Sequence, residues 1–381
     1  SLRYYVMGER GLMNEEATPD DLRQMSQLVT EAVQAGALGF STSRTIGHRA
    51  LDGSPVPGTF APDQELSAIA DAMARAGRGV FEMIPAGTVG KLERLGGERT
   101  TPEAEVKLMA DFSRQSGRKV TFTLVQSPDY APDTWERLLE MVVTANQTGA
   151  QLYPQVSSRP IGLASGLSGY HAFQRRPTYM KLAHLPLAER AREMAKPEIK
   201  AAIMSETDVL VDQPGSMANM YQLFQTAAMF LYPLADPVDY EPDPSEMLGS
   251  RAAATGQDVL DLLYDYLLEQ DGAAMCALMG GPNVHDSQEV LRQMLIHPET
   301  VTGLSDAGAH VTLICDATMP TTQLTFWARD RHKGERLPLE FLVAKQTARN
   351  ADLYGLKDRG RLAVGLRADI NVIDFENLRV S

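Results

Sequence analysis

The residues best placed to do chemistry are polar groups that end apolar runs. Val301-Thr302-Gly303-Leu304 releases Ser305-Asp306-Ala307-Gly308-Ala309-His310, and Val80-Phe81 is followed at once by Glu82. The run Val120 to Val125 ends at Gln126, Ala37-Leu38-Gly39-Phe40 ends at Ser41-Thr42-Ser43-Arg44, and Gln151-Leu152-Tyr153 leads to Gln155, Ser157 and Arg159. A carboxylate such as Asp306, set before a small, glycine-containing turn, can take a proton from water and hand it on. The plainer alternative is a cap on a short helix starting at Gly308. His310, four residues on, can orient a substrate or tune that base, or can be an ordinary loop histidine.

Glu82 sits in an apolar run, and a buried carboxylate there needs a cation, a metal or a hydrogen-bond donor. A metal and an arginine satisfy that need equally well, and Glu82 is the candidate metal ligand. Arg44 and Arg159 can grip a substrate carboxylate through the fork of the guanidinium, or can be structural. Ser41 and Gln126 offer hydrogen bonds to a substrate, and Gln126 can instead satisfy backbone. The seven histidines form no HxH, HExxH or HxxH pattern, so no local zinc signature is legible. The glycines of 162–169 lack phosphate-loop spacing, and no GxSxG elbow occurs. The two cysteines, Cys276 and Cys315, lie in no metal pattern and read as small buried apolar residues.

These groups need a scaffold that gathers strand ends. Four junctions share one grammar, an amphipathic helix, then a small residue with glycine, then a strand: Ala35-Gly36, Ala76-Gly77, Ser116-Gly117 and Thr148-Gly149. Thr18-Pro19-Asp20-Asp21, Ala61-Pro62-Asp63 and Thr101-Pro102-Glu103 mark helix starts. The unit recurs about every 30 to 40 residues, the period of a parallel βα fold. In a parallel barrel, chemistry sits at the carboxyl ends of the strands, where these polar groups fall. The expected fold class is α/β, a TIM-like (β/α) barrel over 1–355 lacking its first strands, with an elaborated lid over about 162–298. The tail 356–381 alternates like strands and reads as part of a β-sandwich. Leu2-Arg3-Tyr4-Tyr5-Val6-Met7 also reads as strand-like, and both ends look cut from a longer chain.

Across 381 residues, 44% are hydrophobic and 22% charged, the composition of an ordinary globular protein. A formal net charge of -13 argues against nucleic-acid binding, which needs a basic surface. No apolar stretch approaches the roughly 20 residues of a membrane span, so a cytoplasmic protein is expected. Oligomeric state is left open.

Gly36-Ala37-Leu38-Gly39-Phe40-Ser41-Thr42-Ser43-Arg44-Thr45, Gly303 to His310, Trp327-Ala328-Arg329-Asp330-Arg331 and Gly365 to Asp374 together resemble the N-acyl-D-amino-acid deacylase, or D-aminoacylase-like, group of the amidohydrolase superfamily. The resemblance implies a (β/α) barrel flanked by a β-sandwich, one or two divalent metals, usually zinc, and hydrolysis of the C–N bond of an N-acyl amino acid. It makes Asp306 the last-strand aspartate that serves as general base and acid. The sequence departs from the group's pattern in lacking the first-strand HxH pair and the cysteine or lysine that help hold the metals. Where the two middle strands of relatives end in histidine, it offers Glu82 and Gln126. Two further readings follow: a binding or scaffold protein on a degenerate barrel, and an enzyme that opens a cyclic amide or carbamate.

Overall fold

The computed structural model of the chain describes residues 1–213, 215–280, 287–306, 313–314 and 316–380. Its strands are β1 (Gly39–Ser43), β2 (Val80–Ile84), β3 (Lys119–Thr123), β4 (Leu152–Val156), β5 (Ile161–Gly166), β6 (Leu231–Pro233), β7 (Met275–Gly280) and β8 (Val301–Thr302). β1 to β4 and β8 form one parallel sheet in the order β1-β2-β3-β4-β8. The helices Asp63–Ala76, Pro102–Ser116 and Thr134–Gln147 make the crossovers between the first four strands.

Local chemistry explains the regularity. Thr18 caps the helix Pro19–Gln34: its hydroxyl accepts from the Asp21 amide at 3.2 Å, and Asp21 accepts in return from the Thr18 amide at 2.8 Å. Gly77 and Gly117 end their helices in the left-handed region, at φ of 72° and 64°, where a side chain would be strained. Alternation along each strand then sorts the two faces of the sheet. Phe81, Met83, Val120, Phe122, Leu152 and Val156 pack against Leu66, Met73, Met109, Phe112 and Val142 of the helices. The other face places Ser41 level with Glu82, Glu82 with Thr121, and Thr121 with Tyr153. Val80, Val301 and Leu353, with Tyr153 and Tyr354 packed on them, close the foot of that face.

The chain between β4 and β8 builds a second unit. β5, β7 and β6 pair antiparallel, with Ser165 opposite Cys276 and Tyr232 opposite Ala277. Phe173, Ile203, Phe224, Leu263, Tyr264 and Cys276 belong to a separate hydrophobic cluster. The expected elaborated segment is therefore an antiparallel sheet with its own core. A wholly buried ion pair of Glu241 with Arg331, at 3.0 Å, is one of the polar links from this segment to the rest of the chain, with Arg94 to Thr226 another, and Arg331 also lies over the Trp327 ring.

Two expectations are corrected. Leu2–Met7 is a helix, capped by the Ser1 hydroxyl; six residues with mixed polarity fit either period, and the ion pair of Arg3 with Glu65 draws Arg3 inward. The tail 356–380 contains no strand among the described residues. Leu362, Val364, Ile370 and Val372 stay exposed, because alternation becomes a ladder only where a neighbouring strand supplies the hydrogen bonds. Among the described residues, no helix is long and apolar enough to cross a membrane.

Candidate active site

Alternation on β2 turns Glu82 away from the helices, onto the polar face of the sheet. Its carboxylate accepts a hydrogen bond from Gln155 Nε2 of β4 at 2.9 Å, across the intervening β3. The donor that a carboxylate in an apolar run requires is thus a carboxamide. Gly303, the residue after β8, lies directly against Gln155: a Cβ there would stand 2.4 Å from Gln155 Oε1. A side chain at position 303 would have to displace the Gln155 carboxamide that holds Glu82. Ser41, level with Glu82, lines with it a cavity of about 380 Å³, together with Ser43, Arg3 and Glu65. Past β1, the Ser43 hydroxyl lies 2.9 Å from His48 Nδ1.

Asp306 lies in the exposed loop beyond β8. The Gly303 amide still donates to the Val156 carbonyl at 3.1 Å, so the strand pairing runs to within three residues of it. Leu304 then adopts φ 65°, which costs a residue with a side chain about 1–2 kcal/mol. Ser305 donates its hydroxyl to the carbonyls of Asp316 and Ala317, at 3.1 and 3.3 Å. Asp316 is buried against Arg159, with Nη1 to Oδ1 at 2.7 Å. Burial pushes the Asp316 carboxyl above its usual range. The Arg159 charge and the Gly162 amide oppose that rise, and the nearby charge of Asp306 adds to it. His310 lies outside the described residues.

The remaining candidates are engaged within the chain. Arg44 Nε bridges both oxygens of Glu105, at 3.1 and 2.9 Å, and its Nη1 donates to the Ala61 carbonyl. Burial raises the Glu105 carboxyl, against the pull of Arg44. Gln126 ties its own loop to the next helix: Nε2 donates to the carbonyls of Ser127 and Ala131, and Oε1 accepts from the Trp135 amide at 3.0 Å. The structure therefore brings together Glu82 with Ser41, and Asp306 with Arg159 through Ser305 and Asp316. Arg44 and Gln126 are held in the surrounding frame.

Sequence reasoning missed Gln155 as the partner of Glu82, although its two-residue offset from Tyr153, which is level with Thr121 and so with Glu82, puts it on the same face. It also missed His48 beside Ser43, and Asp316 beside Arg159, a pairing that no local spacing signals. Lys345 was missed as well: it is buried, its amine donates to the carbonyls of His297 and Thr300 and to the Thr300 hydroxyl, and burial with nearby Arg349 lowers it to about 7.

A metal ion needs converging anionic or imidazole donors. Among the described residues no three of His, Cys, Asp and Glu converge to hold one. Glu82 faces the amide nitrogen of Gln155, a hydrogen-bond donor and not a ligand. The described residues alone do not fit a zinc site.

The chain's likenesses agree with this architecture. A solved N-acyl-D-glutamate deacylase from Bordetella bronchiseptica, complexed with zinc and a phosphonate mimic of the tetrahedral intermediate, superposes with a TM-score of 0.51 at 17% identity. That match covers 97% of this chain and 59% of the deacylase chain, so this chain spans about three fifths of its length. An N-acyl-D-glutamate deacylase from Alcaligenes xylosoxydans xylosoxydans is 52% identical over 46 residues, 12% of this chain and 9% of the relative. An imidazolonepropionase from Paracoccus denitrificans is 33% identical over 147 residues, 37% of this chain and 36% of the relative. The sequence pattern of one family matches without interruption from residue 1 to 381, and the chain belongs to the amidohydrolase family.

Proposed function

We propose that this chain carries part of an enzyme that hydrolyses a linear amide, an N-acyl-D-amino acid, with Asp306 as the general base and acid. The five parallel strands are then an arc of a (β/α) barrel. The observation that carries the reading is the position of Asp306, an exposed carboxylate in the loop beyond β8, next to a polar sheet face in a chain of the amidohydrolase family. Asp306 takes a proton from the attacking water and delivers it to the departing amine, so that it ends the cycle ionised as it began. Ser41 and Glu82 line the cavity beside that face and contact the substrate, and His310, four residues after Asp306 in sequence, joins them as a group that orients it. Arg44, Gln126 and Arg159 enter as framing residues, because their side chains already pair within the chain.

Zinc accompanies the named Bordetella relative. The described residues do not fit a metal site, so any metal requires donors beyond them. Replacing Asp306 with Asn removes the proton acceptor at nearly constant shape. Turnover of N-acyl-D-amino acids should fall by about a thousand-fold with the thermal midpoint unchanged; an Asp306→Asn protein that turns over normally sinks the assignment. The likeness to imidazolonepropionase favours a second reading, opening of a cyclic amide, and a cyclic imidazolone assayed beside the linear amides separates the two.

A further inference from the structure

We propose that Arg159 and Asp316 form a positioning clamp that fixes the Asp306 loop against the end of β4. Arg159 then serves the reaction through that loop and does not touch the substrate. The inference rests on the reading of Asp306 as the base.

Three kinds of contact carry it. From the β4 side, Arg159 Nη1 donates to Asp316 Oδ1 at 2.7 Å and Nη2 donates to the Thr318 hydroxyl at 3.0 Å, while the Gly162 amide donates to the same Asp316 oxygen at 3.3 Å. From the loop side, Ser305 grips the carbonyls of Asp316 and Ala317. The ion pair is only 2% exposed on each side, and a neighbouring bond from the Ser158 hydroxyl to the Met319 carbonyl, at 2.8 Å, runs in parallel. The clamp opposes a definite tendency. Asp306 is exposed and Leu304 holds an unfavourable φ of 65°, so the loop left to itself would relax toward other conformations. A base displaced by about 1 Å loses roughly a hundred-fold in rate.

A bystander ion pair and a clamp differ in what their loss does to Asp306. Loss of a clamp lets the base drift from the attacking water and lowers kcat at constant KM, whereas loss of a bystander pair lowers the thermal midpoint and leaves kcat of the folded protein in place.

The test uses the full chain with N-acyl-D-amino acids as probes, and compares Arg159→Met, Arg159→Lys, Ser305→Ala and Asp306→Asn. Arg159→Met should cut kcat about a hundred-fold and change KM little. Arg159→Lys should recover only part of kcat, because an ammonium keeps the charge but cannot reproduce the fork. Ser305→Ala, at an exposed site that threatens folding least, should cut kcat about ten-fold with KM constant. If Arg159→Met does not fold, the Ser305→Ala result decides. The clamp is overturned if Asp306→Asn is dead while Ser305→Ala and any folded Arg159→Met keep the parent kcat, or if their losses fall in KM alone. Turnover surviving in Asp306→Asn instead overturns the base assignment itself.

Discussion

The parallel sheet and the antiparallel unit that follows it differ in how far along the chain their contacts reach. β1, β2 and β3 each pair with the next strand in sequence, with one helix in each crossover, and only β4 reaches further, to β8. In the antiparallel unit β5 waits for β7, so that Ser165 meets Cys276, and the core closes only when distant segments arrive together. Both regions bury charged or polar groups, Glu65 and Glu105 in the first and His171 in the second. Glu241, wholly buried against Arg331, and His171, wholly buried beside the Tyr179 ring, are the clearest of these.

The sharpest way to break this comparison is to remove the buried acid Glu241. Glu241→Gln leaves Arg331 buried without its full counter-charge, and removing one partner of such a pair costs about 3–5 kcal/mol. Amide hydrogen exchange should show β5 and β7 losing protection while β1 to β4 keep theirs. Equal losses in both regions would mean they fold as one.

Acid should discriminate next. Burial, with the Arg190 charge nearby, lowers the His171 imidazole from 6.5 to about 3. Between those values the unfolded chain binds a proton that the folded chain refuses, so stability is full above pH 6.5 and declines as pH falls toward 3. From pH 6.5 to 5 the loss is about 2 kcal/mol. His171→Asn can still accept from the Phe173 amide, as His171 Nδ1 does, and should flatten this dependence in denaturant titrations at the two pH values. An unchanged slope would remove His171 as its source.

The smallest effect belongs to the parallel side. Thr18→Ala deletes one capping hydroxyl and should cost about 1 kcal/mol, read as a modest drop in the unfolding midpoint with no change at β5 or β7. A larger loss would mean that the repeated units are less independent than their pairing suggests.

The same contrast explains what was legible beforehand. The four helix-to-strand junctions and the Thr18 cap were readable because periodicity and capping act within a few residues. The polar strand ends were readable too, and Ser41 and Glu82 do share a face. Pairings were not readable. Arg44 finds Glu105, Arg159 finds Asp316 and Glu241 finds Arg331 across 61, 157 and 90 positions, and nothing in local composition marks such partners. Hence both arginines looked available for a substrate carboxylate until the fold supplied acids of their own. The tail failed for a related reason: alternation describes a strand's faces but does not provide a neighbour.

That tail has a colloidal consequence. Leu362, Val364, Ile370 and Val372 face solvent on a molecule whose net charge of -13 keeps copies apart by mutual repulsion. Repulsion reaches about 10 Å at 0.1 M ionic strength and only about 3 Å at 1 M, whereas apolar attraction does not weaken in the same way. Added salt is therefore expected to draw copies together through this tail before it alters the fold.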